Sequence, residues 1–324
     1  MKTLSIAAII AASFIAPAVA QDKTGWPDSF TVGTASQGGT YFVYGSGFAN
    51  IVAEDLGIPG AGEVTGGPMQ NMALVHTGEA AFGMTTMGPA RESLNGTNPI
   101  APGLQMTNAC AMFPMYQTPF NVTALTSSGI TSISEIPAGA KIGFGPAGST
   151  SDTYFPAMLE SLGVEFERRN GSWNDLGSQL QDGLLDAVAF AVGIPTPAVS
   201  QLEVQTEVNF VQFTEEEQAK IQEAFPVANF SVPEGTYSTQ PGALRSVSMW
   251  NFAIANCDLP ESFVYAATAA VMGDHDRMMQ VHKAARTTVP ENWDKNSVLK
   301  WHPGAAKWFN ENGASITADM IHGG

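Results

Sequence analysis

Three segments of the 324-residue sequence place glycine beside hydroxyl-bearing side chains: Ser36-Gln37-Gly38-Gly39-Thr40-Tyr41, Thr65-Gly66-Gly67-Pro68-Met69-Gln70-Asn71 and Gly145-Pro146-Ala147-Gly148-Ser149-Thr150-Ser151-Asp152-Thr153. Each sits where a strand-like stretch gives way to a helical pattern. Glycine lets backbone approach a ligand closely, and a helix N-terminus offers unpaired N–H groups at the positive end of its dipole. The hydroxyls of Ser36, Thr40, Ser149 and Thr150 add donors. Together these groups can cradle an anion without a lysine or arginine. Any one loop is explained more simply by Ser or Thr capping its own helix; three loops of this kind point to a ligand site. None carries the Gly-x-Gly-x-x-Gly or Gly-Lys-[Ser/Thr] spacing of nucleotide loops.

Signals for catalysis or metal binding are weak, so no catalytic residue, metal ligand or cofactor is expected. There is no Gly-x-Ser-x-Gly elbow, no His-Glu-x-x-His and no Cys-x-x-Cys. The five histidines, His76, His275, His282, His302 and His322, lie away from the glycine loops. Asp274-His275-Asp276 with His282 resembles a ligand set, but seven helical residues rise about 10 Å, too far for one ion. Asp274 or Asp276 reads instead as a helix N-cap, and His302, before Pro303, as a turn residue. A hydrolase using Ser36 or Ser149 needs a histidine within about 3 Å of the hydroxyl, and none flanks either loop. Trp173 and Trp250 read as core, as do most of the fourteen methionines. Arg168-Arg169 reads as a solvated pair, and Thr214 with Glu217 as a capping box.

The elements around the loops alternate. Phe30 to Thr34 reads as a strand leading to a helix through Phe48, Ile51 and Val52. Glu63 to Thr65 reads as a short strand, Met69 to Thr77 as a helix and Ala80 to Met84 as a buried strand. The grammar recurs with strand Lys141 to Phe144, helix Asp152 to Leu162, helix Trp173 to Asp182 and strand Ala187 to Val192. Strand-loop-helix units of this length favour a mostly parallel sheet with helices on its faces. Two α/β units are expected, at roughly 25–120 and 121–240. The remainder, with helical patterns at Ser262 to Met272, Met278 to Ala285 and Ala305 to Asn312, is expected to pack on the first unit through a return strand, Val247 to Ala255.

Composition narrows the partners. Only 14% of residues are charged, and 30 acidic against 14 basic residues give a net charge of −16. A protein with no basic run has no field for nucleic acid or an anionic membrane surface. Residues 1–20 have the pattern of a cleavable signal peptide: Lys2, an apolar stretch from Leu4 to Ile15, and Ala18-Val19-Ala20 before Gln21. No later window is apolar enough for a span, so an exported protein that is not membrane-inserted is expected. Cys110 and Cys257 meet an oxidising compartment there, where they either pair or serve as two small buried hydrophobes.

The order and spacing of several segments resemble the solute-binding receptors of tripartite ATP-independent periplasmic (TRAP) transporters, of the TAXI branch. The matching segments are Phe30 to Tyr41, Thr65 to Met84, Asp182 to Pro195 and Trp301 to Gly313. Pro68-Met69 and Thr85-Thr86-Met87 depart from the family's usual residues at the ligand loops. The resemblance implies a two-domain α/β periplasmic-binding-protein (Venus flytrap) fold with a ligand cleft between domains. It sets residues 21–120 plus 245–324 as one domain and 121–244 as the other, with crossovers near Phe113 to Val122 and Arg245 to Asn251. It also implies a receptor that delivers a small carboxylate-bearing solute, of the amino-acid or dicarboxylate class, to an ion-driven membrane permease. On that reading the carboxylate sits near Gly38, Gly39, Thr40 and Tyr41, with Gly148, Ser149, Thr150 and Thr153 closing from the other domain. Thr65, Gly67, Asn71, Thr86 and Gly193 line the rest. An ATP-driven or sensory receptor of the same fold is the alternative.

Overall fold

A computed structural model describes residues 23–324, so the expected signal peptide lies outside the described residues. The chain opens with β1 (Phe30–Gly33), α1 (Thr40–Leu56), β2 (Gly60–Glu63), α2 (Pro68–Thr77), β3 (Phe82–Thr86) and α3 (Met87–Asn95). β1 pairs in parallel with both β2 and β3. α1 buries Tyr44, Phe48, Ile51 and Val52 on one face and stops at Gly57, whose left-handed φ of 64° ends the helix. β4 (Ala109–Leu125) then carries the chain into a second lobe.

That lobe contains β5 (Ala140–Gly143), α4 (Thr150–Ser161), β6 (Phe166–Arg169), α5 (Trp173–Gln181), β7 (Ala187–Ala191), α6 (Pro197–Gln205), β8 (Val208–Val211), α7 (Glu215–Ala224) and β9 (Ala228–Val232). β10 (Leu244–Asn256) returns the chain to the first lobe, where α8 (Glu261–Met272), α9 (His275–Val281) and α10 (Pro303–Glu311) complete it. The sheet order is β2-β1-β3-β10-β4-β7-β5-β6, with β8 on β4 and β9 on β10.

β4 and β10 are long because each belongs to both lobes. Their antiparallel ladder is irregular where the lobes part: Trp250 faces Gln117 but Phe252 faces Pro114. Proline lacks the N–H a ladder needs and is tolerated at such a bulge. Side chains repair the gaps. Asn251 Nδ2 donates to the Tyr116 carbonyl at 2.6 Å, and Ser246 Oγ donates to the Phe120 carbonyl at 2.8 Å.

Each lobe has its own core. Phe48, Phe82, Phe113, Phe263 and Trp301 cluster in the first; Phe120, Phe155 and Phe213 in one cluster of the second and Trp173, Leu176 and Phe190 in another. Burying such a side chain contributes about 1.5–3 kcal/mol, so each lobe is stabilised independently of contacts across the cleft. Cys110 on β4 and Cys257 after β10 form a disulfide, with S–S 2.01 Å and Cα–Cα 5.3 Å. Among the described residues no helix is long and apolar enough to cross a membrane.

Several local expectations need correction. The strand placed at Glu63 to Thr65 lies earlier, because Phe30 of β1 covers Gly60 and leaves no room there for a side chain. The helix expected over Met278 to Ala285 breaks at His282, whose extended backbone (φ −159°) starts a short 3-10 turn at Lys283–Thr287. His302 is a buried N-cap of α10, its Nδ1 accepting from the Gly304 N–H at 3.1 Å, and is no loose turn residue.

Candidate functional site

The cleft between the lobes narrows to a cavity of about 30 Å³. Its wall is made by Ala35, Gly39, Thr40, Tyr41, Gly66, Gly67, Pro68, Thr86 and Thr118 from one side and Pro146, Ser149, Thr150, Trp173, Ala191 and Val192 from the other. No lysine, arginine, histidine or carboxylate is among them. Four of these residues are helix N-caps: Gly39 for α1, Gly67 for α2, Thr86 for α3 and Ser149 for α4. Only Ser149 caps its helix with its own side chain, accepting from the Asp152 N–H. The other three ends carry no side-chain cap. Each helix N-terminus carries roughly half a positive charge, so neutral residues alone give this point a positive potential.

Sequence chemistry explains the approach of these ends. Gly67 has φ 108°, a conformation open to glycine, and brings the start of α2 against the Ser149 backbone across the cleft. Gly39 has an ordinary φ of −96° but no space: an added Cβ would stand 2.8 Å from Trp173 Cδ1.

Hydrogen bonds close the cleft. Thr40 Oγ1 donates to the Gly193 carbonyl at 2.5 Å, the Ala198 N–H donates to the Gly38 carbonyl at 3.0 Å, and the hydroxyls of Thr86 and Thr150 meet at 2.7 Å. The cavity left between them has room for two or three waters, so entry of an organic solute requires the lobes to part.

Asn251, fully buried on β10, orders the floor. Its Oδ1 accepts from the Tyr41 hydroxyl at 2.6 Å and from Thr86 and Thr118 Oγ1 at 3.1 Å. Burial pushes the Tyr41 phenol well above its ordinary pKa, an effect the Thr86 hydrogen bond partly offsets. Tyr41 therefore remains a neutral donor throughout the physiological range.

Of the residues picked out from sequence, Gly39, Thr40, Tyr41, Gly67, Thr86, Ser149 and Thr150 line the cavity. The others stand behind it. Asn71 Nδ2 braces the strand ends through the carbonyls of Thr34 (2.8 Å) and Met84 (2.9 Å). Thr65 Oγ1 donates to Asn71 Oδ1. Gly38 and Gly193 supply the carbonyls of the closure bonds, the Gly148 N–H donates to Asp152 Oδ2, and Thr153 Oγ1 bonds within its own helix. Ser36 is buried with its hydroxyl unpartnered among the described residues. Arg168 and Arg169 are both exposed, as expected, and each also pairs with a carboxylate, Arg168 with Asp152 and Arg169 with Glu167.

Trp173, Thr118 and Asn251 were missed. Trp173 is buried and stacks on Phe190 at 4.9 Å, the core residue expected, and an edge of the same indole also forms cleft wall beside Gly39. The signal for Asn251 was present: an amide inside the apolar run Val247 to Ala255. One cluster with metal-binding residue types, Cys110, Cys257 and His322, has both sulfurs taken by the disulfide.

Solved structures share this architecture. The periplasmic binding protein BugD aligns over 89% of this chain and 99% of its own, with a TM-score of 0.57 and 14% identity. A protein of R. palustris solved with adipate aligns over 80% of this chain and 88% of its own (TM-score 0.55, 14% identity). PhnD1 of Prochlorococcus marinus, in complex with methylphosphonate, aligns over 81% and 91% (TM-score 0.52, 13% identity). The fold is thus the two-domain fold of periplasmic solute-binding proteins. Residues 32–313 match the NMT1-like family across both lobes and the cleft between them, and the chain belongs to that family.

Proposed function

We propose that this protein is an extracytoplasmic receptor that closes its two lobes on a small carboxylate-bearing solute and delivers it to a TRAP-type permease, as a member of the TAXI branch. The observation that carries this reading is the convergence of four helix N-termini on a cleft lined without any charged side chain. An anion near a helix N-terminus gains typically 0.3–1 kcal/mol per helix, and up to about 2 when partly buried. Four ends acting on one carboxylate are therefore worth a few kcal/mol, comparable to one buried cation but with no desolvation of a charged side chain. The Gly39 N–H is held by the Ser36 carbonyl at 3.3 Å, so the first-turn groups of α1 beyond it are the donors. Parting of the lobes frees the Thr40 and Thr150 hydroxyls, which otherwise bond across the cleft, to complete the set, and Pro68, Pro146, Ala191, Val192 and Trp173 give the rest of the solute an apolar wall. The family resemblance of the loops supports the TRAP partner, and adipate and methylphosphonate in proteins of the same fold support an anionic cargo.

A solute bound in the closed form shifts the open-closed population by its differential affinity. Thermal melts across organic acids and amino acids test the reading. A stabilisation that grows with concentration identifies the class; no shift with any carboxylate, together with no solute in mass spectra of the purified protein, overturns it. Capture of membrane partners by the solute-loaded receptor tests the permease assignment.

A further inference from the structure

The apolar wall of the cleft carries one polar side-chain atom, the indole Nε1 of Trp173. Trp173 begins α5 in the second lobe and is 2% exposed. Its ring is fixed from several sides. One face stacks on Phe190 at 4.9 Å. The benzene edge packs on Gly145, which leaves no room there for a Cβ, and the edge carrying Cδ1 and Nε1 faces Gly39. A Cβ at Gly39 would stand 3.1 Å from Nε1, so the N–H lies beside the start of α1, which has no side-chain cap. Nε1 makes no hydrogen bond among the described residues. Trp301 Nε1 is also unpartnered but sealed in the core of the first lobe, whereas Trp173 opens on the cavity.

Every hydroxyl proton on the cavity wall is spent in this closed form. Thr40 donates to the Gly193 carbonyl, Tyr41 and Thr118 donate to Asn251, and Ser149 donates to the Phe144 carbonyl at 3.3 Å. Thr86 and Thr150 share one bond, and Thr86 also reaches Asn251. The Trp173 N–H is therefore the one side-chain donor on the wall that lacks an acceptor. An indole N–H donates and cannot accept, and a donor left unpartnered in a buried site is costly. Its complement is an acceptor atom on the solute. The place for that atom is the start of α1, where the helix dipole already favours negative charge. Because α1 belongs to the first lobe and Trp173 to the second, one oxygen held by both ties the lobes together.

We propose that Trp173 is a solute-binding residue, its indole N–H donating to a carboxylate oxygen that also sits on the N-terminus of α1. The assignment rests on the receptor reading of the cleft. Isotope-labelled protein is titrated with succinate, adipate and glutamate, following the melting point and the indole N–H signals of the six tryptophans. The Trp173 signal is the one missing from Trp173→Phe. With a carboxylate that raises the melting point, the Trp173 proton moves downfield while that of Trp301 stays. Affinity for the same carboxylate falls about 10- to 150-fold in Trp173→Phe, the range of a hydrogen bond to a charged group. Phenylalanine also leaves a gap, so a second variant carries benzothienylalanine in place of Trp173, which keeps the bicyclic shape and lacks the N–H; it loses affinity by a similar factor. A carboxylate that stabilises wild type yet leaves the Trp173 proton unmoved, or binds the benzothienyl variant as tightly, overturns the assignment and leaves the receptor reading standing. No shift with these or any other carboxylate, together with no solute in the purified protein, overturns the receptor reading and the assignment with it.

Discussion

Gly39→Ala separates closure from folding. The backbone at Gly39 is in the ordinary extended region, so alanine is accommodated locally. Its Cβ, however, would lie 2.8 Å from Trp173 Cδ1, 3.1 Å from Trp173 Nε1 and 3.4 Å from the Ser36 carbonyl oxygen. Trp173 is fixed by its stack on Phe190 in the core of the other lobe, so the contact is relieved by opening the cleft rather than by moving the indole. Overpacking of this kind costs about 1–3 kcal/mol, which lowers the closed-to-open ratio by about 5- to 150-fold. The Ala198 amide reports that ratio, since its hydrogen bond to the Gly38 carbonyl exists only across the closed cleft. Hydrogen exchange at Ala198 is expected to accelerate by that factor. The Phe30 and Phe144 amides, bonded within their lobes to Pro59 and Arg169, exchange as in wild type. An unchanged Ala198 amide, or equal acceleration at all three, refutes the reasoning.

Three other outcomes follow from the same structure. Asn251→Ala strands the Tyr116 carbonyl in a buried site, at about 1–3 kcal/mol, and leaves the Tyr41 hydroxyl only its longer contact with Thr86 at 3.4 Å, so urea titration should show a loss of at least about 1–3 kcal/mol. His302 is held at a pKa of about 4, chiefly by burial, with the Leu259 carbonyl opposing and His322 adding slightly. A folded pKa below the unfolded 6.5 means the unfolded chain takes up the proton first. Stability is complete above pH 6.5 and falls as pH drops toward 4, by about 3 kcal/mol at 1.36 kcal/mol per unit; His302→Asn, which keeps an acceptor for the cap, should flatten that part of the pH–stability curve. Replacing Cys110 and Cys257 together with serine should cost about 2–5 kcal/mol in urea titration, and a reductant should lower wild type to the same level while leaving the variant unchanged.

The alternation of strands and helices was legible because apolar runs such as Ala187 to Val192 and the stripe Phe48, Ile51, Val52 mark buried faces without help from distant residues. α3 was not, because its Gly88-Pro89 start reads as a turn; that helix nonetheless supplies one of the four converging N-termini. The glycine loops announced where ligand-facing backbone would be, and seven of the residues chosen from them and from β3 line the cavity. What no loop reveals is which residue stands opposite it. Trp173 faces Gly39 only because α5 docks against α1's start, and Asn71 leaves the site only because its amide is consumed by the carbonyls of Thr34 and Met84. Both are consequences of tertiary pairing, for which a single sequence carries no direct sign.

The bond between Cys110 and Cys257 spans 147 residues of sequence, and those residues include the whole of the second lobe. Covalently, that lobe is a closed ring hung from the first. A protease that cuts once anywhere inside the ring converts it to two arms, yet releases no fragment, and the two halves of the first lobe remain tethered beside their partners. In the extracytoplasmic setting proposed for this receptor, a single nick in an exposed turn of the distal lobe is then a repairable wound in shape, if not in sequence, for as long as the surroundings stay oxidising.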